Sequence, residues 1–224
     1  MAYTKSRKRK NNKSRKRKNN KLYNKKMYKK VSNAYEYYSL SKPKNIYNEP
    51  LVACGNKGMG RGSWDQNFMC SERGGGVHQI CVKNIGTNTN QFSVKTGQSD
   101  WSTERGNNNH CVCLGAWSLY NAKKNNKEFS DKNTKKLKCD AIPDYSLTNR
   151  YVNQFVRGGE GWEKWNGLEK DYRTQIIDGV HSMVDECYSD GNKQQQAALK
   201  KNYCDFAKTI NKLNNTKFYK EMCN

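Results

Sequence analysis

The sequence predicts an α+β fold in three parts: a basic N-terminal arm expected to be disordered, a small Cys/Gly-rich domain of short strands and helices, and a C-terminal helical hairpin. Three observations predict it. Residues 1–30 hold fifteen Lys or Arg and no Asp or Glu. Residues 45–157 break into short apolar runs between loops rich in Gly, Asn and Ser, and beyond residue 162 apolar residues recur at steps of three and four. With 34% hydrophobic residues and a mean hydropathy of -1.15, the 224-residue chain is expected to bury one modest core.

The arm opens with an octapeptide, KSRKRKNN, written twice over residues 5–20 without a mismatch. Its cations are Lys5, Arg7, Lys8, Arg9 and Lys10, then Lys13, Arg15, Lys16, Arg17 and Lys18. The arm carries +15 of a formal net charge of +22. A like-charged block with little to bury repels itself, so it is expected to stay unfolded until a polyanion neutralises it. At about 3.3 Å per extended residue it can follow a phosphate backbone far enough to neutralise roughly six to ten phosphates, which gives salt-dependent affinity without sequence reading. DNA or RNA is therefore the expected partner. Tyr3, Tyr23, Tyr28, Tyr35, Tyr37 and Tyr38 follow or interleave with the cations as stacking candidates, or as a strip that docks on the domain. The same clusters fit a nuclear localisation signal, and a solvated tail is the plain alternative. Asn is abundant, at 29 residues, as AT-rich genomes write it, yet that bias does not supply the interleaved arginines.

Residues 31–44 form a Tyr-rich linker that ends near Pro43, and the globular part begins near Asn45. Within 45–157, His78 to Ile85 and His110 to Tyr120 are short apolar runs between loops, and short strands with one or two short helices are expected across the region. The Gly158 to Gly161 break precedes the hairpin over 162–224. Its first helix is expected over Leu168 to Tyr188, with Ile176, Ile177, Val180, Met183, Val184 and Cys187 on one face. SDGN stops it, and a second helix from Gln194 to Leu213 lines up Ala198, Leu199, Tyr203, Phe206, Ala207, Ile210 and Leu213. The pair is expected to pack against the Cys-rich part as an antiparallel hairpin.

Nine cysteines, an odd number at irregular spacing behind a charged N-terminus with no secretory apolar segment, point to thiols or a metal site in a reducing compartment rather than a disulfide framework. No run of 18 apolar residues suggests a membrane span. An intracellular protein of nucleus or virion, not secreted, is expected. Cys54, Cys70, His78, Cys81, Cys111 and Cys113 supply more soft ligands than one tetrahedral zinc needs, although H-x-x-C and C-x-C are not the usual paired knuckles. Small buried hydrophobes are the competing reading of these thiols. A Cys/His nucleophile is the enzyme reading, with His110 beside Cys111 and His78 three residues before Cys81, but neighbours on a strand point to opposite faces. His181, within the first hairpin helix, is read as a boundary residue. Gly58 to Gly62 lacks the strand and helix of a nucleotide loop; it and Gly74 to Gly76 are read as turns, with loops that touch phosphate through Arg61 and Arg73 as the alternative.

Four short motifs carry a resemblance. Asn45, Ile46, Tyr47, Asn48, Glu49, Pro50, Leu51 and Cys54 match N-V-L-G-x-P-L-x-x-C, and His78 and Cys81 match H-x-V-C. Phe92, Ser93, Gly97, Asp100, Trp101, Ser102 and Thr103 follow F-S-x-x-x-G-N-D-L-x-T with one inserted residue, and Cys111, Val112, Cys113 and Trp117 follow W-C-L-C-A-x-R-W with His110 in place of the first Trp. Over residues 45–155 the chain thus resembles the bacterial family called domain of unknown function 2237. A Cys-Cys pair of that family is here the single Cys70, and its F-P-G-L-K-x-G-D segment shrinks to Arg105 through Asn109. The resemblance implies a compact α+β domain and no established activity.

Together these features predict a non-enzymatic nucleic-acid binder whose arm does the binding and whose domain provides packing, homo-oligomer or capsid contacts, by analogy with viral genome-packaging proteins. The competing expectation is a nuclear-targeted Cys- or zinc-dependent enzyme.

Overall fold

The computed structural model describes residues 43–59, 63–71, 78–86, 91–128, 135–156, 172–214 and 221–223. The arm, most of the linker, the glycines at 60, 62, 74–76, 158, 159 and 161, and the start expected for the first hairpin helix lie outside the described residues. The fold is α+β, with a two-stranded antiparallel sheet and, among the described residues, five α-helices.

Strands β1 (His78–Val82) and β2 (His110–Cys113) pair with Ile80 opposite Val112, Cys81 opposite Cys111 and Val82 opposite His110. The register shifts between His78 and Ile80, so Gln79 is an extra residue, and His78 faces Cys113. Residues 136–138 line the other edge of β1, through Lys83 N–H to the Lys136 carbonyl at 2.7 Å and Lys138 N–H to the Cys81 carbonyl at 2.9 Å.

Helix α1 (Phe92–Lys95) is a single turn, held because Ser93 and Ser102 bond one another through both hydroxyls and both amides; the hydroxyls lie 2.8 Å apart. Helix α2 (Leu114–Asn125) leaves β2 without a loop. The apolar run from His110 to Tyr120 therefore splits at Cys113 into a strand and a helix. Leu114 through Asn121 are all buried, so the helix has no polar face to reveal its period, as befits one wrapped by its neighbours. Lys123 and Lys124 in its last turn suit the negative end of the helix dipole.

Helix α3 (Asn149–Val156) buries Tyr151, Val152, Phe155 and Val156, and the Tyr151 hydroxyl accepts the Leu114 amide at 3.2 Å. Helices α4 (Tyr172–Asp190) and α5 (Lys193–Asn214) form the expected hairpin. Ile176, Val180, Met183, Val184 and Cys187 are fully buried on α4, while Ile177 packs at the margin of the core. On α5, Leu199, Tyr203, Phe206, Ala207 and Ile210 are buried, and Ala198 is half-buried. Asn192 starts α5: its side chain accepts the amides of Gln194 and Gln195, and Gln195 Oε1 accepts the Asn192 amide, each at 3.0 Å. That reciprocal pair is a capping box.

Helix α4 lies on α2 at very close range. A Cβ on Gly179 would overlap Ser118 Oγ, so only glycine lets the two backbones approach there. Asn45 ties the opening loop into the same body, with its side chain accepting the amides of Tyr47 and Glu49, while the Tyr47 hydroxyl donates to the Cys187 carbonyl at 2.7 Å. One continuous core results, drawing on residues from Ile46 to Ile210.

Eight of the nine cysteines form disulfides: Cys54–Cys81, Cys70–Cys111, Cys139–Cys187 and Cys204–Cys223. This corrects the expectation of thiols. Pairing depends on which cysteines the fold brings together, and the partners stand 19 to 48 residues apart, beyond any local pattern. In the chain-entropy account, bridges of this span stabilise a fold by about 3–4 kcal/mol each.

Candidate functional site

The Cys-rich part converges on β1 and β2. Cys81 and Cys111, opposite one another on the ladder, each bond a cysteine from the preceding loops: Cys81 takes Cys54 and Cys111 takes Cys70. The two bridges lie side by side, with the Sγ atoms of Cys54, Cys70 and Cys81 all within 4.8 Å of one another. All four residues are buried.

Backbone hydrogen bonds deliver the loop cysteines. The amides of Cys54 and Gly55 both donate to the Phe68 carbonyl, at 2.8 and 3.1 Å, which joins the strip bearing Cys54 to the turn before Cys70. Asp65 builds that turn: its carboxylate accepts the amides of Asn67 and Met69 and the Ser71 hydroxyl. Phe68 sits at φ 62°, in the left-handed region. Trp64 lies flat on Gly55, where a Cβ would come within 2.8 Å of the ring. Asn109 closes the other side by donating to the Cys54 carbonyl at 3.0 Å.

Of the six residues expected to bind zinc, the structure brings Cys54, Cys70, Cys81 and Cys111 together and places His78 and Cys113 elsewhere. His78 and Cys113 face each other at the far end of the ladder. Cys113 keeps its thiol, buried at the N-cap of α2, where Sγ accepts the Ala116 amide at 3.3 Å. A cysteine thus does the work usually given to Ser or Asp. While bridged, the other four sulfurs are not thiolate ligands.

The nucleophile reading meets the same chemistry. Cys81 and Cys111, the two sulfurs that the nucleophile reading set beside a histidine, are both in bridges, and the thiol that remains, Cys113, caps α2. His110 is 6% exposed and lies between the rings of Trp64 and Trp101, at centroid distances of 5.8 and 4.8 Å. Burial, then the electrostatic influence of Arg105 and His78, pushes its pKa down to about 4, so it is neutral at physiological pH. Among the described residues its Nδ1 has no hydrogen-bond partner. Sequence reasoning paired His110 with Cys111 and missed the two tryptophans, which lie 46 and 9 residues away.

An open polar groove of about 650 Å³ runs between α2 and α4, lined by Asn121, Lys124, Asp178, His181, Asp185 and Glu186 among others. Glu186 accepts the Leu137 amide at 2.6 Å, and burial raises its pKa despite that bond. His181, at the boundary as expected, meets the Tyr203 ring edge-on at 6.0 Å. The ten cations of the duplicated octapeptide lie outside the described residues. No described helix is long and apolar enough to cross a membrane.

Comparison of the chain with protein-family models, with curated proteins and with solved structures finds no match in any of the three.

Proposed function

We propose that the chain is a non-enzymatic polyanion-binding protein in which the basic arm holds DNA or RNA through phosphate charge, and the domain is a rigid body that anchors the arm. The observation that carries this reading is the arm itself: fifteen cations and no acid in thirty residues, ten of the cations in a duplicated octapeptide. Such a block suits the phosphate backbone and carries no means of reading bases. Support from the domain is chemical. Eight cysteines are spent on bridges and the ninth on capping a helix, a use of sulfur directed at rigidity.

Of the two locations expected, the virion suits four disulfides better than the nucleus, since such bridges persist on virion surfaces and are rare among nuclear proteins. A genome- or virion-associated role, with contacts to a capsid or to further copies of the chain, follows as part of the same proposal. The resemblance to domain of unknown function 2237 stands beside it as a proposed kinship, and residues of all four motifs contribute to the described core.

The test is a full-length variant with Lys5, Arg7, Lys8, Arg9, Lys10, Lys13, Arg15, Lys16, Arg17 and Lys18 all changed to Gln, compared with the native chain on labelled single- and double-stranded DNA and on RNA. Loss of most binding to all three, with the fold unchanged by circular dichroism, is expected. Undiminished binding would refute the reading and move attention to the domain.

A further inference from the structure

We propose that Cys54, Cys70, Cys81 and Cys111, when reduced, form a tetrathiolate zinc site, so that the same four sulfurs join the loops to the strand pair either as two disulfides or as the ligands of one ion. Tetrahedral zinc with four sulfurs at about 2.3 Å sets those sulfurs about 3.8 Å apart. Three Sγ atoms already lie within 4.8 Å of one another, and the fourth is bonded to one of them. Opening the two S–S bonds lets each bonded pair separate by about 2 Å, and the Cys111 sulfur, which lies outside the 4.8 Å group, closes on the other three, both within the range of side-chain rotation. Among the described residues no other cysteines gather in this way: Cys139–Cys187 and Cys204–Cys223 are isolated bridges.

The backbone would hold these positions without the S–S bonds. Cys81 and Cys111 are fixed by the ladder and by residues 136–138 on its outer edge, and Cys54 is fixed to the turn before Cys70 through the Phe68 carbonyl. A buried tetrathiolate with zinc carries two negative charges, and a cation stands beside it. Lys138 donates its amide to the Cys81 carbonyl and its ammonium, at 2.6 Å, to the carbonyl of Ala53, the neighbour of Cys54. That ammonium is held in place with or without metal, so it favours the charged site.

The interconversion balances. A dithiol reductant gives two electrons and two protons to each disulfide and itself becomes a disulfide; two such events yield four thiols. Zinc(II) then displaces four protons as it binds four thiolates. Oxidation by a disulfide-exchanging partner reverses the sequence and releases the ion. This reading is independent of the arm and of its partner.

The experiment uses the full chain, reduced anaerobically with a phosphine, given zinc sulfate, passed through a desalting column and analysed for metal, with cobalt(II) as a spectroscopic substitute. One zinc per chain is expected, together with tetrahedral cobalt bands and the strong charge transfer of four thiolates. Alkylation of the zinc-loaded chain is expected to mark Cys204 and Cys223, which are half-buried, and to spare the quartet, whereas the reduced chain without zinc loses that protection. The double variant Cys204→Ser/Cys223→Ser should keep the metal, and Cys70→Ser should lose it. Metal bound equally by Cys70→Ser, alkylation of the quartet in the presence of zinc, or a reduced chain that zinc leaves unfolded would each overturn the proposal.

Discussion

Cys81 and Cys111 stand directly opposite each other on the antiparallel ladder and are not bonded to each other; each closes a disulfide with a cysteine from a separate loop. The arrangement fixes two loops to one strand pair, whereas a cross-strand bridge would only have stapled the strands to themselves. Digestion of the oxidised chain without reduction is expected to yield peptides pairing Cys54 with Cys81, Cys70 with Cys111, Cys139 with Cys187 and Cys204 with Cys223, and Cys113 as a thiol. A peptide joining Cys81 to Cys111 would contradict the arrangement.

His110 gives the disulfide-bonded domain a pH dependence of defined sign. Its pKa falls from the ordinary 6.5 to about 4 in the fold, so between those values the unfolded chain binds the extra proton. Stability due to this residue is full above about pH 6.5 and is lost as the pH drops towards 4, by about 3 kcal/mol in all. Urea midpoints of the native chain should decline across that window, and those of His110→Phe should decline less. Parallel curves for the two proteins would show that the imidazole is not buried as described.

The α2–α4 crossing depends on a missing side chain. Gly179→Ala places a methyl against Ser118, and the overpacking cost of about 1–3 kcal/mol exceeds the roughly 1 kcal/mol that alanine adds to a helix interior. A net loss of stability is expected in urea unfolding, whereas the exposed neighbour substitution Asp178→Ala should change it by no more than about 0.5 kcal/mol. A stabilised Gly179→Ala protein would mean that the helices stand further apart.

Asn192→Ala removes the cap of α5, leaving the amides of Gln194 and Gln195 without their acceptor, and is expected to cost about 1 kcal/mol. Asn192→Ser should recover most of it, because a serine hydroxyl can take over as cap. Equal losses in the two variants would place the effect elsewhere in the turn.

The hairpin was legible because α4 and α5 each have one wet face. Ile176, Val180, Met183 and Val184 alternate with exposed residues such as Asp178 and Asp185, and SDGN marks the turn. Helix α2 was hidden for the opposite reason: buried from Leu114 to Asn121, it offers no contrast for a period to show, and its cap is a cysteine rather than Ser or Asp. The candidate site was half legible. Cys54, Cys70, Cys81 and Cys111 could be named as a group, since the H-x-x-C and C-x-C segments mark both strands. Their pairing could not, because it rests on a ladder register and on the loop turn at Phe68, both set by tertiary contacts. Reading a charged N-terminus and an odd cysteine count as signs of thiols misjudged the oxidation state, and Cys113, the odd residue, turned out to serve a helix end.

The central claim, that charge in the arm binds a polyanion, is tested most directly by the affinity of the full chain for a labelled DNA duplex measured over a series of salt concentrations. Neutralising about six to ten phosphates predicts a fall of log affinity against log salt with a slope between about -5 and -9, and a slope reduced to less than half of that once the ten octapeptide cations are changed to Gln and five remain in the arm. A shallow slope for the native chain, or a steep slope that survives those substitutions, would contradict the claim.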